Sequence, residues 1–273
     1  RWGFDGVVVS DWGAEADRPA GVAAGMDLEM PGGARTEPAV HAAITDGRLD
    51  PANVARSAQR VIDLAVAAQD ARTAPAPTMA ELLDPHDALA RRAAASSSVV
   101  LTNDGILPLT PGTRVALIGA FAESPRYQGS GSSLVTPTRL TTACTALEAA
   151  GLSVSYAPGY DPVRSQPDAA AVAEAAAMAA GADVAVVMVG LPGIAESEGF
   201  DRDTLALPAQ HDALVTAVAA ANPRTVVALS VGAPVLLPWR DGVAAIVLSS
   251  LGGQASGGAL ADVVLGGLEP AVR

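Results

Sequence analysis

The sequence predicts an α/β protein in two parts, and three observations carry that prediction. Short β-branched apolar runs alternate with alanine-rich stretches through most of the chain, a pattern that argues a mostly parallel sheet covered on both faces. Half of the residues are hydrophobic but only 3% are aromatic, which suits small side chains at helix–sheet contacts. The run Thr73-Ala74-Pro75-Ala76-Pro77-Thr78 punctuates the chain with prolines and reads as a linker. A length of 273 residues accommodates two domains of roughly 100–200 residues each.

The first part, residues 1–72, begins with Val7-Val8-Val9, flanked by Gly6 and by Ser10-Asp11. This reads as a buried parallel strand. Residues 14–24 read as an alanine-rich helix, weakened by Pro19 and Gly21. Met26-Asp27-Leu28-Glu29-Met30 reads as a second short strand, stopped by Pro31-Gly32-Gly33; with the first strand and helix it completes a βαβ unit. Helices follow at residues 37–46 and 51–72, the second with Asp50 as N-cap and Pro51 at its first position. One βαβ unit and two helices cannot bury a sheet of their own. The simplest expectation is that earlier barrel strands lie upstream.

Residues 73–95 are expected to hold the linker and a connecting helix, the helix running over residues 85–98. Residues 96–273 form the second domain. Its strand candidates are residues 99–101, 115–119, 153–156, 184–189, 225–231 and 244–248, with alanine-rich helices at 169–180 and 209–221.

Charge narrows the function. The net charge is −12 and every basic residue is arginine, which argues against nucleic acid or an anionic membrane as the main partner and is compatible with a neutral substrate. No apolar run reaches the ~18 residues of a membrane span. Cys144, the single cysteine, rules out an internal disulfide and reads as a buried small residue in the helical-looking run Thr-Ala-Cys-Thr-Ala-Leu. His41, His86 and His211 are scattered without the spacing of metal ligands; each reads as a surface or helix-packing histidine. No metal site and no cofactor are expected.

Two acidic segments carry the chemistry. One is Gly3-Phe4-Asp5-Gly6-Val7-Val8-Val9-Ser10-Asp11-Trp12, the other Glu196-Ser197-Glu198-Gly199-Phe200-Asp201-Arg202. Each places a carboxylate where a strand runs out into a loop. Two carboxylates brought together from distant loops are what glycoside hydrolysis needs, one attacking the anomeric carbon and the other protonating the leaving oxygen.

At these residues the chain resembles the family 3 glycoside hydrolases of β-glucosidase type. The resemblance rests on the two acidic segments, on Ala24-Gly25-Met26-Asp27-Leu28-Glu29-Met30-Pro31-Gly32, and on Asn103-Asp104-Gly105-Ile106-Leu107-Pro108-Leu109. Val115-Ala116-Leu117-Ile118-Gly119, Gly129-Ser130-Gly131-Ser132-Ser133 and Leu205-Ala206-Leu207-Pro208 add to it. It implies the C-terminal part of a (β/α)8-type barrel followed by an α/β sandwich domain with a mostly parallel sheet, the active site lying between them. It further implies substrate ligands on earlier barrel strands, including a Lys-His pair, which this chain lacks. The family often has a histidine shortly after the Asp-Trp pair, where this chain reads Glu15-Ala16-Asp17.

The resemblance makes Asp11 the nucleophile, at the C-terminal end of a barrel strand; from the residues alone a helix N-cap is an equal alternative. It makes Glu198, immediately before Gly199, the general acid/base, with Glu196 as the alternative donor. The bland reading of that loop is a solvated acidic turn in which Asp201 and Arg202 form a surface ion pair. Trp12 is expected to line the substrate entrance or to pack, and Met30 to bound the sugar site or the core. Arg126, Tyr127 and Ser130 belong to a Gly-Ser-rich loop read as facing the substrate cleft; it has no Walker-type lysine.

The expected function is retaining hydrolysis of a terminal β-glycosidic bond, foremost a β-D-glucoside. Retention requires the two carboxyls ~5–5.5 Å apart. A non-catalytic carbohydrate-binding fragment of such an enzyme is the alternative. The family branch that acts on N-acetylglucosaminides with a His-Asp donor is disfavoured by the acidic loop. A flavodoxin-like nucleotide-binding domain is set aside because Ala120-Phe121-Ala122-Glu123 offers no phosphate-cradling glycines.

Overall fold

A computed structural model describes residues 3–34, 36–73, 75–162 and 166–271. The chain divides into two compact units, Arg1–Pro77 and Thr78–Arg273.

The first unit holds helices α1 (Arg18–Ala24), α2 (Thr36–Thr45) and α3 (Pro51–Thr73). Asp17 caps α1 by accepting from the Ala20 N–H at 3.1 Å, and Gly25 ends it in the left-handed region at φ 102°. The two predicted strands are not formed as such. They are reduced to one parallel bridge, Val9 to Leu28, and Val8 and Val9 are 39% and 49% exposed rather than buried. The Val8 N–H donates to the Asp27 side chain at 2.9 Å, and the main-chain bonds between the two segments include Asp27 N–H and Leu28 N–H to Val8 O and Ser10 N–H to Leu28 O. The core of this unit is small, with Val22, Ala43 and Leu49 buried and Val40, Ile44 and Val54 packed against them. The predicted linker begins while α3 is still running at Thr73, and Ala74 lies outside the described residues.

The second unit is built on a six-stranded mixed sheet. Its strands are β1 (Val99–Asn103), β2 (Arg114–Ile118), β3 (Ser153–Ala157), β4 (Val184–Gly190), β5 (Thr225–Ser230) and β6 (Ala245–Leu248). The order is β1-β6-β5-β4-β2-β3. All neighbours are parallel except β1, which runs antiparallel to β6 at the edge. Every residue of β4 and β5 is buried, as an unbroken apolar run on a doubly covered sheet requires.

Helices α5 (Ala143–Ala149), α6 (Ala169–Ala180) and α7 (Ala209–Ala221) connect these strands, with α4 (Met79–Ser97) before them and α8 (Ser256–Val264) after. The chain steps outward from β2 to β3, then back across to β4 and β5. Right-handed crossovers therefore send α5 to one face and α6 and α7 to the other. The packing agrees: α6 lies on α7, while α4 and α5 both lie on α8. Direction reverses between β2 and β4, and the loops after strands at such a switch are where sites form.

Two elements differ from expectation. The helix placed at 85–98 starts at Met79 and runs through Pro85. A capping box fixes its start: Thr78 Oγ1 accepts from the Glu81 N–H, and a Glu81 carboxylate oxygen accepts from the Thr78 N–H at 2.8 Å. Helix α8 (Ser256–Val264) is not among the helices expected from the sequence, and it carries Gly257 and Gly258 in its first turn. Gly257 is there for proximity, since a Cβ would lie 2.3 Å from the Thr142 carbonyl carbon. No helix among the described residues is long and apolar enough to cross a membrane.

Candidate active site

The first acidic loop belongs to the first unit. Asp11 follows the Val9 bridge and is exposed. Its Oδ1 accepts from the Trp12 N–H at 2.6 Å. The turn is pinned to the segment ending at Met30, where the Gly13 N–H donates to Met30 O at 2.7 Å and the Met30 N–H donates to Ser10 Oγ at 2.8 Å. Asp11, Trp12 and Met30 are thus neighbours. Asp11 caps no helix, that role falling to Asp17. Trp12 is 70% exposed and so is not a packing residue of this unit; Met30 is half-buried.

Beneath the turn lies a residue that sequence reading passed over. Asp27 is buried, and it accepts from the Val8 N–H at 2.9 Å, Ser57 Oγ at 3.0 Å and Arg60 Nη1 at 3.3 Å. Burial pushes its carboxyl up, but these hydrogen bonds and the Arg60 charge outweigh that and hold it below the usual carboxylate range. The segment Met26-Asp27-Leu28-Glu29-Met30 alternates apolar and acidic residues and does not mark Asp27 as the buried one; a buried charge has to be paired.

The second acidic loop belongs to the second unit and follows β4, where a short 3-10 turn spans Gly193–Glu196. Its two glutamates diverge. The Glu196 side chain is 7% exposed and lies 3.5 Å from Nη2 of Arg126, itself 10% exposed. Glu196 Oε1 also accepts from the Gly232 N–H at 2.5 Å. Arg126 Nε donates to Leu191 O at 3.2 Å. Burial lowers the Arg126 pKa, and the Glu196 charge offsets part of that.

Glu198 is exposed. One of its carboxylate oxygens accepts from the Ser132 N–H at 2.9 Å and from the Ser132 hydroxyl. These two bonds hold its carboxyl below the ordinary value. The Gly-Ser loop backs the acidic loop along the main chain as well. The Ser130 N–H donates to Glu196 O at 3.2 Å and the Glu198 N–H donates to Ser130 O at 3.3 Å. Gly131 sits at φ 94°, and a Cβ there would meet Glu198 Cβ at 2.6 Å, so no side chain fits.

The structure brings Arg126 and Ser130, expected from the sequence to face the substrate cleft, together with the glutamates, and adds Ser132 and Gly232, which were not singled out. Tyr127 is half-buried, its carbonyl accepting from the Gly253 N–H at 2.9 Å. Arg202 donates to Pro234 O at 2.6 Å.

Among the described residues no three His, Cys, Asp or Glu side chains gather so as to hold a metal. His41 and His86 are exposed. His211 is buried, its ring 4.1 Å from that of Tyr160, and burial pushes its pKa down to about 4. Cys144 is buried and its thiol is pushed up to about 12, first by burial and then by Glu123.

Residues 98–273 match the glycosyl hydrolase family 3 C-terminal domain, and the chain belongs to that family. It is 43% identical, over 99% of its length, to an exo-α-(1→6)-L-arabinopyranosidase of Bifidobacterium longum. It is 42% identical, again over 99%, to thermostable β-glucosidase B of Acetivibrio thermocellus. The crystal structure of a family 3 β-glucosidase of Bifidobacterium adolescentis superposes with a TM-score of 0.89 at 44% identity over 99% of the chain. The chain spans 37%, 36% and 40% of the lengths of these three proteins.

Proposed function

We propose that this chain supplies both catalytic carboxylates of a retaining β-glycosidase acting on terminal β-D-glucosides, and that residues 1–72 are the C-terminal portion of its (β/α)8-type barrel. Asp11 attacks the anomeric carbon while Glu198 gives its proton to the departing oxygen, leaving a glycosyl ester on Asp11. Glu198, now a carboxylate, takes a proton from water; the hydroxide attacks the anomeric carbon and Asp11 leaves as carboxylate. Configuration is retained through two inversions. Trp12 offers an exposed aromatic face to the sugar, with Met30 beside it, and Tyr127 and Ser130 border the donor loop.

The observation that supports this reading best is the difference between the two glutamates. Glu198 is exposed with one oxygen held by Ser132, whereas Glu196 is buried against Arg126 and Gly232. A proton donor has to reach solvent-side substrate, and Glu198 is the one that faces out.

The test is labelling with a 2-deoxy-2-fluoro-β-glucoside bearing a good leaving group, followed by peptide mass spectrometry. It would be run on this chain and on the chain joined to the preceding residues of the Bifidobacterium longum relative. An adduct on the peptide containing Asp11 is expected, and Asp11→Asn should abolish it. Labelling only of the extended protein would mean that the upstream residues complete the site, and the chain alone is then a non-catalytic fragment. No adduct in either, while an aryl α-L-arabinopyranoside is still hydrolysed, would replace the glucoside assignment with that of the arabinopyranosidase relatives.

A further inference from the structure

Resting on the reading of Glu198 as acid/base, we propose that Arg126 and Glu196 are positioning residues, a buried clamp that fixes the loop from which Glu198 projects. The clamp joins three segments. Arg126 reaches from the loop after β2 to the end of β4 through Leu191 O, 3.2 Å from its Nε. It meets Glu196 at 3.5 Å. Glu196 in turn holds the Gly232 N–H, in the loop after β5, at 2.5 Å. Glu198 is two residues further along the same chain, and its main-chain N–H is bonded to Ser130 O, four residues beyond Arg126. The donor loop is therefore anchored at both ends of a short arc by the ion pair and the Gly-Ser loop.

The chemistry of the pair favours positioning over stability. A buried ion pair repays its desolvation poorly, and well-packed apolar residues often serve the fold as well. This one is also loosely made: Arg126 Nη2 and Glu196 Oε2 have no hydrogen-bond partner. What Glu196 does supply is a directed bond to Gly232, where added bulk has little room: a Cβ would lie 3.1 Å from Leu251 and 3.2 Å from Glu196 Oε1. A donor displaced by even ~1 Å loses on the order of 10²-fold in rate.

The test uses the full-length protein and two substrates. An alkyl β-glucoside needs its leaving oxygen protonated; a 2,4-dinitrophenyl β-glucoside does not. Glu196→Ala should lower kcat/KM on the alkyl glucoside by about 10²-fold and leave the dinitrophenyl substrate nearly unchanged, with azide raising kcat on the latter. Glu196→Gln keeps an oxygen for Gly232 and should stay within a few-fold of the parent. The paired replacement Arg126→Met with Glu196→Met removes the clamp without leaving a lone buried charge. It should repeat the Glu196→Ala pattern with an unchanged melting temperature, which covers the case where the single variant does not fold.

Equal losses on both substrates would overturn the clamp, since general damage does not discriminate between leaving groups. So would a Glu196→Gln protein as impaired as Glu196→Ala, because Glu196 would then be the proton donor. Glu198→Ala is run alongside. If it lacks the leaving-group and azide signature, the reading of Glu198 fails and the clamp with it; if it shows the signature and Glu196→Ala does not, the clamp alone fails.

Discussion

Glu196 and Glu198 are two residues apart and chemically identical, yet their surroundings differ. Glu196 is enclosed and engaged; Glu198 stands in solvent with one carboxylate oxygen held by two donors from Ser132. Those donors stabilise the anion and hold the carboxyl down, whereas an acid catalyst must carry a proton at working pH. In the proposed role of proton donor, the Glu198 carboxyl has to rise when substrate excludes water. Ser132 opposes that rise. Replacing it with alanine removes the hydroxyl donor, so the Glu198 carboxyl rises toward its ordinary value and the proton is kept to higher pH. The alkaline limb of the kcat/KM profile should move upward in Ser132→Ala. An unmoved limb would mean that Ser132 does not set the protonation of Glu198. Asp27 illustrates the same physics in the other unit. Its carboxyl is depressed, so its contribution to stability is present above the unfolded value near 3.9 and is lost as pH falls through the folded value.

At the scale of elements, side chains that close helix ends decide where helices stop and strands begin. Asn222 follows α7 and does this for three segments at once. Its Nδ2 donates to Ala179 O at 2.8 Å and Ala182 O at 3.2 Å, and its Oδ1 accepts from the Arg224 N–H at 2.9 Å. Thr225 Oγ1 adds a bond to Asn222 O at 2.6 Å. Asn222→Ala removes the side-chain donor from the carbonyls of Ala179, which keeps the Ala182 N–H at 3.2 Å, and of Ala182, at a cost of about 1–3 kcal/mol. Chemical denaturation should show that loss with an unchanged slope on denaturant, since the surface exposed on unfolding stays the same. Arg91 makes a two-pronged contact with Asp262 at 2.6 and 2.7 Å and ties α4 to α8. Nearly half of the Arg91 side chain is exposed, so the tie orients more than it stabilises.

Across the whole molecule the two units differ most in how much they bury. The second has a continuous core through β2 to β6, with Val100 of β1 packed against it; the first has, among the described residues, three buried apolar ones and leaves Ile62, Leu64 and Val66 of α3 exposed. Burying one such side chain contributes roughly 1.5–3 kcal/mol, so the first unit should open at lower free energy than the second. Limited trypsin digestion of this chain is expected to cut first in the first unit and to leave a persistent fragment beginning after Arg72. Equal resistance of both units would contradict the comparison of cores.

The parallel strands of the second unit were legible because their apolar runs are long and unbroken, and burial on two faces demands that pattern. The loop positions of Asp11, Glu196 and Glu198 were legible because each follows an apolar run in an alanine- and valine-rich background; their roles are a proposal. The antiparallel edge placement of β1, the helix through Pro85 and the helix opening on Gly257-Gly258 were not. Pro85 and the paired glycines argue locally against helix; α4 is started by the capping box at Thr78 and Glu81, and Gly257 in α8 answers the close approach of Thr142. Nor could order along the chain assign Glu196 and Glu198 to different environments. Residue identity by itself determined which acidic loops the chain carries and that a layered α/β unit makes up most of it. Tertiary structure alone decided which glutamate faces out and which meets Arg126, because exposure and ion pairing depend on contacts between segments that sequence spacing does not encode.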